Sequence, residues 1–305
     1  MKQRTKIPSM DVQSLRGVYP AIVTPFTADD RLDEAALGKV TEYVIEGGVH
    51  AIMATGGTGE FPHLDRQERR RATEVIVGEA RGRVPIIAGT AAASTREAIL
   101  LSQDAQEVGA AAVILTPPFY FHLPAPSLVD HFRLVVKEID IPLIVYNNPL
   151  YTGNNLSPHD IASLSDDTRI IGCKQSNADM GQLVELLRQA PASFSVNTGI
   201  DSQFYPALCA GARGIFSTAA SVIPKQMVEI YRLTVDGQHE AARGLHMKVQ
   251  VLNRFLEYDP GYVAPCKEAM EMLGMTVGSP RKPMPGLTDA ERSGVRAALK
   301  ELGML

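Results

Sequence analysis

Residues 169–174 read Arg-Ile-Ile-Gly-Cys-Lys, and the polar Gln175-Ser176-Asn177 follows at once. A short apolar run bounded by polar residues suits a strand buried on both faces. Lys174 then ends that strand half out of water, where burial works against the ammonium form. An uncharged amine is a nucleophile, and carbonyl carbon is its usual target. Taken alone, the segment also suits a lysine that caps a strand and points to solvent. The rest of the chain decides between the two.

The same kind of run recurs at 17–23, 51–54, 85–88, 111–115, 142–146, 194–196 and 214–217, which with 170–174 makes eight. Amphipathic helical patterns separate them, as at 33–45, 65–79, 95–108 and 126–138. Asp33 and Ser94 stand where N-caps belong, and Asp65 is followed three residues later by Glu68. Glycines close several of these helices, as at Gly47-Gly48 and Gly109. Strands bounded by helices pair in parallel through crossovers. Eight units favour a closed (β/α)8 TIM barrel, the α/β class, over an open doubly wound sheet. Beyond Val235 only helical patterns follow, at 240–256, 266–273 and 289–302. The expected organisation is therefore an N-terminal extension (1–16), a barrel (17–235) and a C-terminal helical appendage packed on it (236–305).

Composition narrows the function classes. The 305 residues are 45% hydrophobic, enough for a large core, and the formal charge of −4 leaves no basic footprint for nucleic acid. Cys173, Cys209 and Cys266 are far apart and lack a CxxC pair, which fits a reducing compartment and neither disulfides nor zinc. The first residues carry charge without an apolar run behind it, so no secretory signal is expected. No stretch approaches the ~20 apolar residues of a membrane span. A cytoplasmic, soluble enzyme with a small-molecule substrate is the expectation.

Active sites of such barrels lie at the carboxyl ends of the strands. That rule gathers Thr24, the loop Gly56-Gly57-Thr58-Gly59-Glu60, Tyr120, Tyr146, Lys174, Gly199 and Phe216 around one mouth. Successive glycines let the loop curl into a nest of N–H groups suited to an anion, with Thr55 and Thr58 adding hydroxyls. No lysine or arginine accompanies it, so a carboxylate fits better than a phosphate. Tyr146 closes its strand beside the amine, where a phenol can move the protons that imine formation requires. It also suits a tyrosine merely packed at a strand end. The seven histidines include no HExxH, and no metal site is expected. His131 reads as structural, whereas His122 shares a loop with Tyr120 and is placed to touch substrate. Cys173, flanked by apolar residues, is a poor nucleophile.

Over nearly its full length the chain resembles the dihydrodipicolinate synthase / N-acetylneuraminate lyase family. The matching segments are 17–26 (GVYPAIVTPF), 56–60 (GGTGE), 116–120 (TPPFY), 146–149 (YNNP), 171–174 (IGCK) and the closing 297–303. The resemblance implies a (β/α)8 barrel assembled as a homotetramer of two tight dimers. It implies that Lys174 forms a Schiff base with pyruvate or a longer 2-oxo acid, with no metal or organic cofactor. Tyr146 would shuttle protons, Gly57 and Thr58 would hold the substrate carboxylate, and Tyr120 would be lent across the dimer interface. Gly199 and Phe216 would line the pocket.

Two positions depart from the synthases of the family. The arginine they carry five positions after the catalytic tyrosine is Tyr151 here, and the threonine at the second loop position is Gly57. A phenol does not replace a bidentate carboxylate partner. The resemblance therefore implies cleavage or dehydration of a hydroxylated 2-oxo acid, such as a 3-deoxy-2-oxo sugar acid, with Tyr151, Asn148 and His122 facing its hydroxyls. Dihydrodipicolinate synthase itself is the alternative. A catalytically silent 2-oxo-acid-binding protein is the third reading.

Overall fold

The computed structural model describes residues 10–257 and 261–305. Eight strands alternate with helices: β1 (Gly17–Pro20), α1 (Glu34–Glu46), β2 (Ile52–Ala54), α2 (Arg66–Ala80), β3 (Ile86–Gly89), α3 (Thr95–Val108), β4 (Ala112–Leu115) and α4 (Ala125–Lys137) form the first half. β5 (Leu143–Asn147), α5 (Pro149–Thr152), α6 (Pro158–Ser163), β6 (Ile170–Gln175), α7 (Met180–Gln189), β7 (Ser195–Thr198), α8 (Phe204–Cys209), β8 (Gly214–Ser217), α9 (Ala219–Val222) and α10 (Pro224–Val235) form the second. Then come α11 (His239–Leu256), α12 (Val263–Met272) and α13 (Asp289–Glu301).

The helices start where their caps stand. Asp33 accepts from Ala36 N at 2.9 Å, Asp65 and Glu68 form a reciprocal capping box, and Ser94 accepts from Glu97 N. Each helix buries one stripe. In α1 the buried residues are Ala36, Leu37, Val40, Thr41 and Val44, spaced as one helical face requires.

All strand pairs are parallel, in the order β1-β8-β7-β6-β5-β4-β3-β2. The ends meet: Ala21 bridges Met53, and Ile22 N donates to Met53 O at 3.2 Å. The sheet is thus closed into a barrel and is not an open doubly wound sheet. Side chains alternate across it. Ile114, Ile144, Tyr146, Tyr19 and Phe216 fill the interior, while Val113, Leu115, Leu143 and Val145 pack against the helices. Met10 and Leu15, ahead of β1, are buried against that interior, and Leu15 O accepts from Ser195 Oγ. They close the end of the barrel opposite the site.

The register between β5 and β6 slips once, between Leu143 and Ile144. Beyond the slip, Ile144 pairs with Gly172 and Tyr146 with Lys174. The extra residue brings the lysine into phase with the tyrosine, so both point into the barrel mouth. Among the described residues, no helix is long and apolar enough to cross a membrane.

Candidate active site

Lys174 is 5% exposed, and its Nζ stands 4.1 Å from the centre of the Tyr146 ring and 5.8 Å from that of Phe216. Its stem runs over Gly199, where an added Cβ would lie 2.5 Å from Lys174 Cε. Any side chain there would displace the lysine. The Tyr146 hydroxyl accepts from Asn148 Nδ2 at 2.9 Å, which leaves the phenolic proton free to be given away.

Lys174, Tyr146, Asn148 and Gly199 line a cavity of about 350 Å3, together with Gly57, Thr58 and Tyr151. Its far wall is polar: Ser176, Ser202, Gln203, Asp201 and Glu257. Among the described residues that line it, the only lysine or arginine is Lys174. Asp201 is buried and accepts from the Ser217 hydroxyl and from the N–H groups of Thr218 and Ala219, both at 3.1 Å. Burial, with the Glu257 charge nearby, pushes its carboxyl up to about 7. Glu257 is raised as well, chiefly by burial, and accepts from Ser202 N.

The glycine loop is held from two sides. Thr24 Oγ1 donates to Gly59 O at 2.7 Å, and Thr58 Oγ1 lies 3.2 Å from Thr218 Oγ1. Glu60, in the left-handed region at φ 58°, turns its carboxylate into the protein and meets Lys267 Nζ of α12 at 2.6 Å. Burial pulls the Lys267 ammonium below its ordinary range. Arg281 extends this clamp, donating to both Glu68 oxygens at 2.6 and 2.7 Å and, from its backbone N–H, to Glu60 at 2.8 Å. The C-terminal region is thereby tied to the loop that borders the cavity.

A second cavity, of about 270 Å3, adjoins the first behind Tyr146 and Tyr262. It is mostly apolar, lined by Phe61, Phe119, Val263 and Met284.

Of the residues expected at the mouth, Lys174, Tyr146, Thr58, Gly57, Gly199, Asn148 and Tyr151 share the larger cavity. Three expectations, for Phe216, His122 and Thr55, need correction. Phe216 does not line it: the residue lies inside the barrel beneath the lysine, 4.7 Å from the Tyr19 ring. Tyr120, expected to be lent across a dimer interface, is 85% exposed and turned away from its own chain's cavity, on a strained backbone at φ 85°, and that expectation stands as it was. His122 gives its Nδ1 to the carbonyl of Gly153 at 2.8 Å and lies outside the cavity. Thr55 is spent on Gly89 O, at 3.1 Å, and faces no anion. Sequence reasoning missed Asp201, Ser176, Glu257 and above all Tyr262, which enters from the C-terminal region. No strand-end rule could find a residue delivered by a helix.

A lysine buried at the mouth of a closed barrel, beside a phenol and next to a glycine loop, defines a class: the imine-forming lyases of the (β/α)8 fold. Residues 14–302 match the model of the dihydrodipicolinate synthetase family, and the chain belongs to that family. It is 36% identical over 295 residues to the 4-hydroxy-tetrahydrodipicolinate synthase of Methanopyrus kandleri, covering 95% of this chain and 97% of that one. The crystal structure of dihydrodipicolinate synthase from Aquifex aeolicus superposes with a TM-score of 0.92 at 33% identity, over 95% of this chain and 99% of that one. The prophage protein YagE of E. coli K12, solved in complex with pyruvate, gives 0.91 at 27% identity, over 95% and 99%. The chain is a lyase of this family.

Proposed function

We propose that Lys174 forms an imine with carbon 2 of a hydroxylated 2-oxo acid, which the enzyme then cleaves or dehydrates. The observation that carries the reading is the 4.1 Å approach of Lys174 Nζ to the Tyr146 ring inside a cavity whose far wall is polar. The substrate carboxylate is assigned to the Gly57–Thr58 N–H groups, because a nest of backbone N–H groups makes an anion-binding concavity.

The amine lone pair adds to carbon 2, and a proton passes from nitrogen to the carbonyl oxygen. The carbon–oxygen bond then breaks; the departing hydroxide takes the Tyr146 proton and leaves as water. An iminium and a tyrosinate remain. In cleavage, the tyrosinate removes the proton of the C4 hydroxyl and the C3–C4 bond breaks. Its electron pair moves into the iminium, giving an enamine and an aldehyde. Tyr146 returns its proton to C3, and water releases the 2-oxo acid. In dehydration, a C3 proton is lost instead and the C4 hydroxyl departs as water. Neither route needs a metal or an organic cofactor.

The lining favours a neutral polyhydroxy tail. Asn148, Ser176, Ser202 and Gln203 offer hydrogen bonds, and the carboxylates of Asp201 and Glu257 accept from hydroxyls but repel a second carboxylate. The names of relatives such as the Methanopyrus kandleri synthase favour a second reading, condensation of pyruvate with aspartate semialdehyde. Tyr151 and the acidic wall offer that second carboxylate no counter-charge.

Assembly as a tetramer of two dimers is part of the proposal. It is supported by the outward-facing Tyr120, Phe121 and Leu150, 85, 68 and 69% exposed, and by the apolar second cavity behind Tyr146 that a second copy's Tyr120 could fill. A cytoplasmic setting is supported by the three free thiols.

Borohydride reduction with pyruvate, intact mass and peptide mapping test the reaction class: one reduced pyruvyl group on Lys174 is expected, and an unmodified Lys174 overturns it. A screen of 3-deoxy-2-oxo sugar acids, run beside aspartate semialdehyde with pyruvate, tests the substrate. Turnover of the semialdehyde above every sugar acid would favour the second reading.

A further inference from the structure

Tyr262 stands just ahead of α12, and its ring meets Tyr151 edge-on, with centroids 6.0 Å apart. It lines both cavities, as Tyr146 does, so the two phenols share the wall between them. Its hydroxyl lies close to the Thr58 side chain, whose own Oγ1 lies 3.2 Å from Thr218 Oγ1. That hydroxyl also occupies the place where a side chain on Gly57 would be. An added Cβ there would collide with the Tyr262 oxygen, while the ring carbon Cζ behind it is 3.7 Å away, an ordinary contact. Position 57 and the phenol therefore exclude one another: one hydroxyl group fits at this point of the wall.

Tyr146 needs a second hydroxyl. It gives up a proton and recovers one in each turnover, and Asn148 supplies its oxygen with a donor but cannot accept the phenolic proton. Tyr262 borders both cavities with Tyr146, and its hydroxyl is held at the Gly57 position of the loop beside Thr58. We propose that Tyr262 is the proton partner of Tyr146, supplying from the C-terminal region the hydroxyl that Gly57 leaves out and linking Tyr146 to Thr58. The inference rests on the reading of Lys174 and Tyr146 given above. The balance is simple: tyrosinate at 146 takes a proton from the Tyr262 hydroxyl, which takes one from Thr58 as Thr58 takes one from solvent water in the cavity it lines, and the chain resets by the reverse path, returning that proton to water, when Tyr146 gains a proton from substrate. Burial, with Tyr146 and Tyr151 close by, holds the Tyr262 phenol well above its ordinary range, so it passes a proton on without resting as the anion.

The test follows exchange of the pyruvate methyl protons in deuterium oxide by NMR, because enamine formation at Lys174 requires that exchange. Tyr262→Phe should slow it on the order of 10²-fold, while borohydride still traps pyruvate on Lys174 after long incubation. Gly57→Thr alone should also be slow, since it displaces the phenol. Gly57→Thr combined with Tyr262→Phe should recover most of the exchange, because the threonine then has room and restores a hydroxyl. A ring-fluorinated tyrosine at position 262 keeps the shape and makes the phenol more acidic, so the exchange profile should move to lower pH. The proposal is overturned by wild-type exchange in Tyr262→Phe, by a folded double variant no faster than Tyr262→Phe, or by an unmoved pH profile. A wild-type protein that traps no pyruvate overturns the reading of Lys174 and this inference together; trapping with any of the three outcomes above overturns the inference alone.

Discussion

Tyr146 and Lys174 form one rung of the barrel: they are direct partners in the β5–β6 register, although 28 positions separate them in the chain. The rung holds the amine over the ring face at 4.1 Å, with the phenolic oxygen beyond it fixed by Asn148. Nucleophile and proton donor are thus placed by backbone hydrogen bonds rather than by a flexible loop. Tyr146→Phe should keep the ring and lose the proton. A fall in kcat of roughly 10²- to 10⁴-fold is expected, with Lys174 still trapped by borohydride, only more slowly. Trapping at the wild-type rate would remove Tyr146 from imine formation.

Gly199 tests the placement of the amine without touching its chemistry. Gly199→Ala sets a methyl 2.5 Å from Lys174 Cε and closer still to Ser176 Oγ. The lysine must swing off its rung, and misplacement of a nucleophile by about 1 Å costs on the order of 10²-fold. Rates of pyruvate trapping should fall by that factor while the melting curve stays near wild type. An alanine variant that traps normally would show that the rung does not matter.

The Glu60–Lys267 pair is a question of stability. Both side chains are buried, at 0 and 2% exposure, so removing one partner leaves an uncompensated charge. Lys267→Met is expected to cost about 3–5 kcal/mol, and the double change with Glu60→Gln should recover most of it. Urea unfolding measures both. Equal stability of Lys267→Met and wild type would mean that the pair contributes nothing.

Asp201 gives a pH dependence. Its carboxyl is held near 7 in the folded protein against 3.8 for the free side chain. Between these values the folded state binds more protons than the unfolded one, so stability falls as pH rises from about 4 to about 7 and levels off above. Asp201→Asn should flatten that fall. Melting midpoints collected across the range decide it: an unchanged slope in the variant would assign the titration to another group.

The strand ends were legible because burial on both faces leaves a short apolar run that breaks off at the mouth, and Lys174 and Tyr146 sit at such breaks. The rule misplaced Phe216 because it counts along the strand without knowing depth; one residue before the end of β8, the ring belongs to the layer below. Thr55 was misjudged because its competitor, the carbonyl of Gly89, lies on a neighbouring strand 34 positions away. Tyr262 left no local trace at all. Its role depends on how α12 docks, and docking is encoded in packing between distant segments rather than in any period. The vacancy at Gly57 was visible in the chain, but not what fills it.

The clamp between Glu60 and Lys267 has a bearing on how the protein is made. Domains fold as the ribosome releases them, amino end first. A nascent chain long enough to complete all eight strands still lacks Lys267, so its glycine loop carries a carboxylate with no cation to meet. Such a barrel would hold Lys174 and Tyr146 in place beside an unfinished anion cradle. The contact that ties the glycine loop to the C-terminal helices therefore forms only once the chain has left the exit tunnel beyond residue 267.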